Sequence, residues 1–525
     1  MENILSDMNA IENSKQDQIH DCAEYTELKR IFRDIGRMSA IAEILGRDFL
    51  TAMPDGAYSS RLNQIAYLHR LIQENIIDTK VLDLLHKAQE HKDFKPDLWD
   101  RWDSANLREM INTYQDHCLI HQDLMEKSSK LETEGRKKHT KARDSGDWDS
   151  IKDHLKYAVE SKREIAELKM KATDANSLYE ALLQDYCPGV KLNILDAWFE
   201  KIDNSLKGLL PKILDKQSKE TKPIELIDFY PDNSQMWLNE ELLALFGFDF
   251  ERGGLYQTGH NPVEGGTPDD TRLVISCADT SNFLTSLKST LHEGGHGLYI
   301  QGLPRKTWRY QPVAADLGAA VHESQALLVE MIMARSEEFF DFLSPRLEGL
   351  FHTIKDPSLS AKNLSKIKNW VEPKFDRKKS DEVTYFYHVL LRYRIERDLI
   401  EGKIEVDDIP ERWNNDIYDL LGIKPSNNSE GCLQDVHWFV GKFGYYPAYT
   451  IGHMMAAQLY EKMKDDIPNI RGLIYQGEFT EITDWMYKNI HSKGRLLRSD
   501  DLIKEITGKY LDEEALLTHI ERRYL

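Results

Sequence analysis

A pair of histidines four residues apart, with a glutamate directly after the first, is the part of this sequence best suited to chemistry. The segment reads His292-Glu293-Gly294-Gly295-His296. In a helix, residues four apart lie on one face, so both histidines could direct a ring nitrogen at one ion. Glu293 could then reach a water bound to that ion, as metal-assisted hydrolysis requires. The spacing therefore predicts a hydrolytic metal site.

A third ligand is expected, because catalytic zinc takes three protein ligands and keeps one position for water. Glu323 is the best candidate, in a second helical segment that follows a turn rich in Trp and Pro. We expect the two helices to pack antiparallel and to bring Glu323 against the histidines. His322 is a competing ligand, although two histidines and a glutamate form the better-known set for hydrolysis.

Glycines inside the first helix are unusual, since each costs about 1 kcal/mol relative to Ala. They are Gly294, Gly295 and Gly297. Our hypothesis is that another backbone, that of the helix carrying Glu323, approaches closely there.

Hydrophobic periodicity predicts a mainly α-helical chain. The highly charged residues 127–147 are interpreted as the solvated end of a long helical hairpin rather than a binding patch. The one clear strand is predicted at 271–278, after a Gly/Pro-rich loop at 253–268 that could form a hairpin. Helices are predicted at 25–50, 56–76, 98–125, 149–170, 177–184, 192–214, 236–246, 283–301, 313–330, 382–401, 434–438 and 449–464.

The bulk composition limits the class of protein. The chain has 525 residues, of which 41% are apolar and 30% charged, with a formal net charge of −20. The excess of acid disfavours nucleic acid and anionic membranes as partners. The five cysteines are dispersed along the chain, which indicates free thiols. The N-terminal residues lack a signal-peptide pattern, so we expect a cytoplasmic protein. We expect residues 1–22 to be disordered and residues 23–525 to form a single catalytic domain.

Five segments together resemble the carboxypeptidase Taq family of metallocarboxypeptidases. The resemblance extends from about Leu28 to the C-terminus. Its segments are Met53–Leu68 (MPDGAYSSRLNQIAYL), Leu178–Gly189 (LYEALLQDYCPG), His292–Gly302 (HEGGHGLYIQG), His322–Gln325 (HESQ) and Gly431–Trp438 (GCLQDVHW).

The resemblance implies that His292, His296 and Glu323 bind zinc, or cobalt in some members, and that Glu293 is the general base. It implies release of single residues from peptide C-termini with broad preference. It also implies a homodimer and a helical fold with a long central groove, akin to other helical gluzincins, with a small hairpin or sheet next to the metal helix.

Some family motifs are altered here, and the alterations affect the substrate loop more than the chemistry. The family's DxRxT corresponds to Asp270–Val274, with Val in the last place, and its HPF to His260–Val263, with an extra residue and no Phe. Its IRxxAD is matched to Leu391–Glu396, where Ala-Asp becomes Ile-Glu.

Further residues are needed for an exopeptidase. An oxyanion donor is expected among His437 and the tyrosines of Phe443–Tyr449, with Tyr445 and Tyr449 as the preferred pair, unless these aromatic residues only pack in the core. A free carboxylate is best bound by an arginine fork.

Arg392 is the preferred candidate for the carboxylate and Arg272 the second, with Asp270 and His260 in the substrate loop. The alternative for Arg392 is an ion pair with Glu396, four residues later.

Other functions stay open. A dipeptidyl-carboxypeptidase or oligopeptidase could use the same chemistry, whereas an aminopeptidase is disfavoured because no amine-recognition motif of the GxMEN type is seen. A non-enzymatic peptide-binding metal protein is the alternative from another class.

Overall fold

The computed structural model describes residues 20–120, 122–226, 229–258, 265–276, 279–351 and 356–525, and His260 therefore lies outside the described residues. The chain is mainly helical, as predicted. Contacts between Cα atoms divide it into two compact units, each assembled from three segments of the chain. The prediction of one catalytic domain over residues 23–525 stays a prediction, as does the long groove. Of the residues predicted to be disordered, 20–22 are described, and Cys22 is buried.

The elements are numbered here in chain order. The three strands are β1 Gly253–Thr258, β2 Gly266–Thr267 and β3 Asp270–Ser276. The helices are α1 Ala23–Thr51, α2 Tyr58–Ile76, α3 Thr79–Phe94, α4 Arg101–Leu119, α5 Gln122–Ser145, α6 Lys152–Ala172, α7 Leu178–Leu183, α8 Leu192–Ser218, α9 Asp232–Leu245, α10 Leu284–Gly302, α11 Ala319–Leu327, α12 Glu337–Leu350, α13 Ala361–Asn369, α14 Glu382–Ile400, α15 Ile409–Leu421, α16 Pro447–Asp466, α17 Ile470–Gln476, α18 Thr480–Asn489, α19 Ser499–Thr507 and α20 Glu514–Tyr524.

The first unit comprises the described residues of 1–118, 228–317 and 477–502. Its N-terminal helices α1 to α4 bury apolar residues at helical spacing, including Tyr25, Leu28 and Phe32 of α1. Arg61 of the family-like MPDGAYSSR segment donates to the Leu45 carbonyl and so ties α2 to α1. This family motif therefore has a structural role, which the sequence did not reveal.

The small sheet has the order β1-β3-β2 and belongs to the first unit. The predicted strand at 271–278 is confirmed as β3 through Ser276, and Cys277 and Ala278 lie outside the described residues. The loop prediction for 253–268 is wrong in part, because β1 pairs parallel with β3 and only the two-residue β2 forms an antiparallel hairpin with it. The predicted position of the sheet is confirmed, since the Ser276 amide donates to Ser289 of α10.

Helix α10 carries the HExxH segment and packs on α9 in parallel register. Ser286 donates to the amide oxygen of Gln235 over 2.7 Å, and Gly294, two turns later, meets Leu243, two turns after Gln235. A Cβ on Gly294 would lie 2.4 Å from Leu243 Cδ2. The glycine therefore lets an apolar side chain of α9 approach the backbone of α10 closely.

Gly297 leaves room on the side of α10 that faces the sheet. A Cβ there would lie 2.8 Å from Leu273 Cδ2 of β3 and 2.9 Å from Phe248 Cε2. The close neighbours of Gly294 and Gly297 are therefore side chains of the first unit. The hypothesis of an approaching backbone is wrong for these two glycines and stays untested for Gly295.

The second unit comprises the described residues of 119–227, 318–476 and 503–525. Helix α14 lies in its core and is buried on all sides from Glu382 to Tyr393. Helix α11 begins after Gly318, because the φ of +92° at this glycine is incompatible with an α-helix. The helix continues into a π-helix at Leu328–Met333. The predicted start at Val313 was therefore six residues too early.

Two other helix predictions need correction. The helix predicted at 98–125 is interrupted, since α4 ends at Leu119 and α5 begins at Gln122. The segment predicted as a helix at 434–438 is irregular and ends in a short 3-10 turn, Trp438–Val440. Helices α3, α12, α13, α15 and α17 to α20 were not predicted. No described helix combines the length and apolar character needed to cross a membrane.

Candidate metal centre

The three predicted ligands form a group in the structure. The rings of His292 and His296 on α10 are 4.8 Å apart between centroids and nearly perpendicular. One ligand atom from each histidine and from Glu323 lie within 4.8 Å of one another, and His322 is not part of this group among the described residues. Two imidazoles and one carboxylate suit a catalytic divalent metal. Glu323 is buried, and so is Glu293, which directly follows His292. This burial fits a nearby cation, because the charge of a buried carboxylate must be compensated.

Glu323 is held in place by a glycine of the neighbouring helix. Gly452 of α16 lies so close that a Cβ there would be 3.0 Å from both Cβ and Cγ of Glu323 and 3.1 Å from the Ala320 carbonyl oxygen. The helix that carries Glu323 was expected to approach the glycines of α10 closely, and it approaches Gly452 of α16 in this way instead. A glycine in the middle of a helix was visible in the sequence, but its partner was not.

The family-like GCLQDVHW segment places Asp435 between two arginines. Asp435 accepts from Arg377 Nη2 over 3.1 Å and from Arg392 Nε over 2.6 Å. Burial alone would raise the pKa of the Asp435 carboxyl, but the two guanidinium groups outweigh burial and hold that pKa well below its usual range. One aspartate thus faces two arginines, and one positive charge of this cluster is left over.

Arg392, the predicted carboxylate receptor, is completely buried. Besides Asp435, its guanidinium donates to the His388 carbonyl and to the side-chain oxygen of Gln434, and it stacks 4.6 Å from the Trp413 ring. Arg392 therefore has no open face for a substrate in this structure. The alternative pair with Glu396 is not formed either, because that carboxylate has other partners.

Glu396 accepts hydrogen bonds from Tyr179 over 2.6 Å and from the Trp438 indole over 3.0 Å. Its complete burial raises the pKa of the carboxyl to about 8, although these donors and Arg392 lower it in part. At neutral pH this carboxyl is largely protonated.

Arg377 was missed by the sequence analysis. Its Nη1 donates to the Tyr385 hydroxyl over 2.9 Å, and its guanidinium lies 4.5 Å from the Tyr449 ring centroid. Its Nε, which is buried, has no partner among the described residues. The signal was present, because Arg377-Lys378-Lys379-Ser380-Asp381 keeps Arg, a small residue and Asp at the family's R-x-x-A-D spacing, more closely than Leu391–Glu396 does.

The predicted oxyanion donors lie together. The His437 ring is 5.3 Å from the Tyr445 ring and 6.4 Å from the Tyr449 ring. Burial raises the pKa of Tyr449 to about 12, lowered in part by Arg377 and raised further by Glu323. Tyr449 therefore lies in the electrostatic field of a metal-ligand candidate and keeps its proton at neutral pH.

His437 has an additional partner that was not predicted. The hydroxyl of the buried Tyr446 lies 3.1 Å from His437 Nδ1. Burial lowers the pKa of His437 well below its usual range despite the nearby Asp435. A neutral imidazole that accepts at Nδ1 from this hydroxyl carries its hydrogen on Nε2.

The other predicted substrate residues form a local pair in the first unit. Arg272 donates from Nε and Nη2 to the two carboxylate oxygens of Asp270, each over 2.9 Å. Both side chains are part-exposed. The pair is self-compensated, which weakens Arg272 as a carboxylate receptor.

Comparison with known proteins gives matches over nearly the whole chain. The family model described as carboxypeptidase Taq (M32) metallopeptidase matches residues 27–524. Thermostable carboxypeptidase 1 of Thermus thermophilus is 31% identical over 508 residues, which cover 96% of this chain and 98% of the relative.

Solved structures give the same result. Metallocarboxypeptidase 1 of Trypanosoma cruzi has a TM-score of 0.90 and 32% identity, with coverage of 96% of this chain and 100% of that chain. The carboxypeptidase of Pyrococcus furiosus, solved as "Apo-Mg", has a TM-score of 0.89 and 27% identity, with coverage of 97% and 100%.

Proposed function

The chain belongs to the carboxypeptidase Taq (M32) family of metallopeptidases, as its motifs predicted, and from this premise we propose that it releases single amino acids with broad preference from peptide C-termini. The observation that carries the proposal is the group formed by His292, His296 and Glu323. Its donors are those of hydrolytic metal sites, and Glu293 directly follows the first ligand.

A divalent metal is implied by the family, and we propose zinc, with cobalt as a functional substitute. Two imidazoles and one carboxylate favour zinc over the oxygen-only sites of magnesium and calcium. An ion held by these residues would act as a Lewis acid and make water a stronger nucleophile near neutral pH.

Glu293 is the proposed general base. Its carboxylate takes a proton from the attacking water and delivers it to the nitrogen of the leaving amino acid. Its burial excludes bulk water, so the proton stays available for the second transfer.

His437 and Tyr449 are the proposed donors to the developing oxyanion, with Tyr445 supporting both by ring packing. His437 is suited because burial favours its neutral form, and with Tyr446 donating to Nδ1 the ring offers Nε2–H to the oxyanion. Tyr449 is suited because its hydroxyl stays protonated. Such donors are effective when they are in place before the substrate binds.

Recognition of the substrate carboxylate is assigned to Arg377 rather than Arg392. The cluster of Arg377, Arg392 and Asp435 carries one uncompensated positive charge. Both arginines are buried, but the Arg377 side chain is 7% exposed and that of Arg392 0%, and within this cluster Arg377 has a guanidinium nitrogen without a partner among the described residues. Arg377 also adjoins Tyr449, the proposed donor. A carboxylate bound here would lie next to the proposed reaction centre, as an exopeptidase requires.

Mass spectrometry of a hexapeptide digest tests the proposal. Loss of one residue at a time from the C-terminus is expected with zinc or cobalt, and no products after chelation. Loss of dipeptides or internal cleavage would instead identify the dipeptidyl-carboxypeptidase or oligopeptidase alternative. Stoichiometric metal without any cleavage would support the non-enzymatic alternative.

We further propose a homodimer on the basis of the family resemblance, and a cytoplasmic location because the dispersed cysteines are interpreted as free thiols in a reducing compartment. Sedimentation equilibrium on the metal-loaded protein should give twice the mass of 61.0 kDa. A monomer at micromolar concentration would contradict this proposal.

A further inference from the structure

Two histidines of the helical hairpin formed by α5 and α6 contact the backbone on either side of His437. Nε2 of His139 lies 2.8 Å from the Leu433 carbonyl oxygen, and Nε2 of His154 lies 2.9 Å from the Phe439 carbonyl oxygen. We infer that this hairpin positions His437 by holding these two carbonyls, an inference that rests on the proposed role of His437. A carbonyl only accepts, so both histidines donate.

The surroundings of His154 fix its tautomer. The ammonium group of Lys138 lies 3.4 Å from His154 Nδ1 and can only donate, which leaves Nε2 to carry the hydrogen that bonds to Phe439. Burial lowers the pKa of His154, and burial lowers that of His139 to about 4. Both histidines therefore serve as neutral, single donors at physiological pH.

A glycine of the hairpin lets the loop come close enough for these bonds. A Cβ on Gly135 of α5 would lie 2.1 Å from the Phe439 carbonyl oxygen and 3.1 Å from His154 Nε2. No side chain fits there without displacing the Phe439 backbone. Glycine is unfavourable inside a helix, so its presence is explained by this approach.

The contacts of the hairpin add to the loop's own backbone turns and to the ion pairs of Asp435 in fixing a segment without regular secondary structure. Residues 431–437 form turns and bends without a regular helix or strand, and only the short turn Trp438–Val440 follows. His139 also packs its ring 5.0 Å from the Phe439 ring. The sequence-based interpretation of 127–147 as a solvated hairpin end holds for exposed residues such as Lys137, whereas Gly135 and His139 are buried against the loop.

The first test substitutes the hairpin residues in the metal-loaded full chain. His154→Ala and Gly135→Ala are each expected to lower kcat about tenfold or more, with KM changed less than about twofold and zinc content unchanged. His154→Gln retains an amide donor and should recover most of kcat. Lys137→Ala controls for the hairpin surface. Gly208→Ala is the matched glycine control, because a Cβ on that helical glycine meets nothing within 4 Å.

A double-mutant cycle separates positioning from general destabilisation. If His154 acts through His437, His154→Ala should lower kcat further by less than about twofold in a His437→Ala background. Equal losses in both backgrounds, no loss in the wild-type background, or failure of His154→Gln to recover kcat would each overturn the inference. Failure of the proposed function is distinguishable, because the wild-type hexapeptide digest would then lack single-residue products.

Discussion

Gly452 lies against Glu323 so closely that a Cβ atom on the glycine would stand 3.0 Å from both the Cβ and the Cγ atoms of the glutamate. The nearest atoms are those of the metal-ligand candidate and of its own helix, including the Ala320 carbonyl oxygen at 3.1 Å. A Cβ at this position requires Glu323 and the adjacent backbone of α11 to shift by a few tenths of an ångström. The missing side chain at Gly452 thus leaves the room in which Glu323, the candidate third ligand, lies.

Gly452→Ala should therefore weaken metal binding by about tenfold, and Gly452→Val by more, since catalytic metal sites tolerate little ligand displacement. Competition with a fluorescent zinc chelator measures the affinity. Gly208→Ala should leave zinc affinity unchanged and raise stability slightly, because alanine is favoured over glycine in an open helix. Equal zinc affinity in wild type and Gly452→Val would contradict the positioning of Glu323 by α16.

Glu293→Gln is expected to lower kcat by about 10²- to 10⁴-fold, because general acid–base catalysis contributes that much. The amide is nearly isosteric but cannot take a proton, so zinc content measured by atomic spectroscopy should remain stoichiometric. Glu323→Gln serves as the contrast, since it should lose zinc together with activity. Turnover near the wild-type rate in Glu293→Gln would rule out its role as base.

Arg377→Lys should weaken recognition of a free C-terminal carboxylate, because a lysine cannot keep the Asp435 and Tyr385 bonds and also bind a carboxylate through a second nitrogen. The measurement is the ratio of inhibition constants for a non-cleavable peptide and its C-terminal amide. We expect the preference for the free acid to fall about tenfold.

Arg272→Ala is the control for Arg377→Lys, and it should leave the inhibition ratio near the wild-type value. If Arg272→Ala abolished the preference and Arg377→Lys kept it, carboxylate recognition would belong to the first unit instead.

Glu396 makes stability depend on pH. The pKa of its carboxyl in the folded state is raised to about 8 from an ordinary 4.5. Its contribution to the free energy of unfolding is therefore fully present below pH 4.5 and is lost as pH rises through 8. Urea unfolding should therefore give a lower free energy of unfolding at pH 8 than at pH 5 in the wild type. In Glu396→Gln this decrease should be smaller, by on the order of 4 kcal/mol at most.

The exposed Glu200→Gln provides the comparison for Glu396→Gln and should follow the wild type. The same pH dependence in wild type and Glu396→Gln would mean that the donors Tyr179 and Trp438 keep the carboxylate charged.

The sequence by itself determined the helix of the HExxH segment and the relative placement of its two candidate ligands, because that relation is local. Four residues make about one helical turn, so the spacing of His292 and His296 already places them on one face. The helical class followed from periodicity, and the family followed from several motifs in order along the chain. The location of Glu323 followed from the ligand number of catalytic zinc and from the family's HESQ motif.

Only the tertiary structure shows the partners of the two arginines and the contacts that hold the loop around His437. Helix α14 is buried on all sides, so its sequence has no polar face that could show where the Arg392 side chain points. The pairing of Asp435 with both Arg392 and Arg377, and of His139 and His154 with loop carbonyls, joins segments up to 294 residues apart. Periodicity and spacing report a residue's own helix or strand, whereas partners at such distances are chosen by packing.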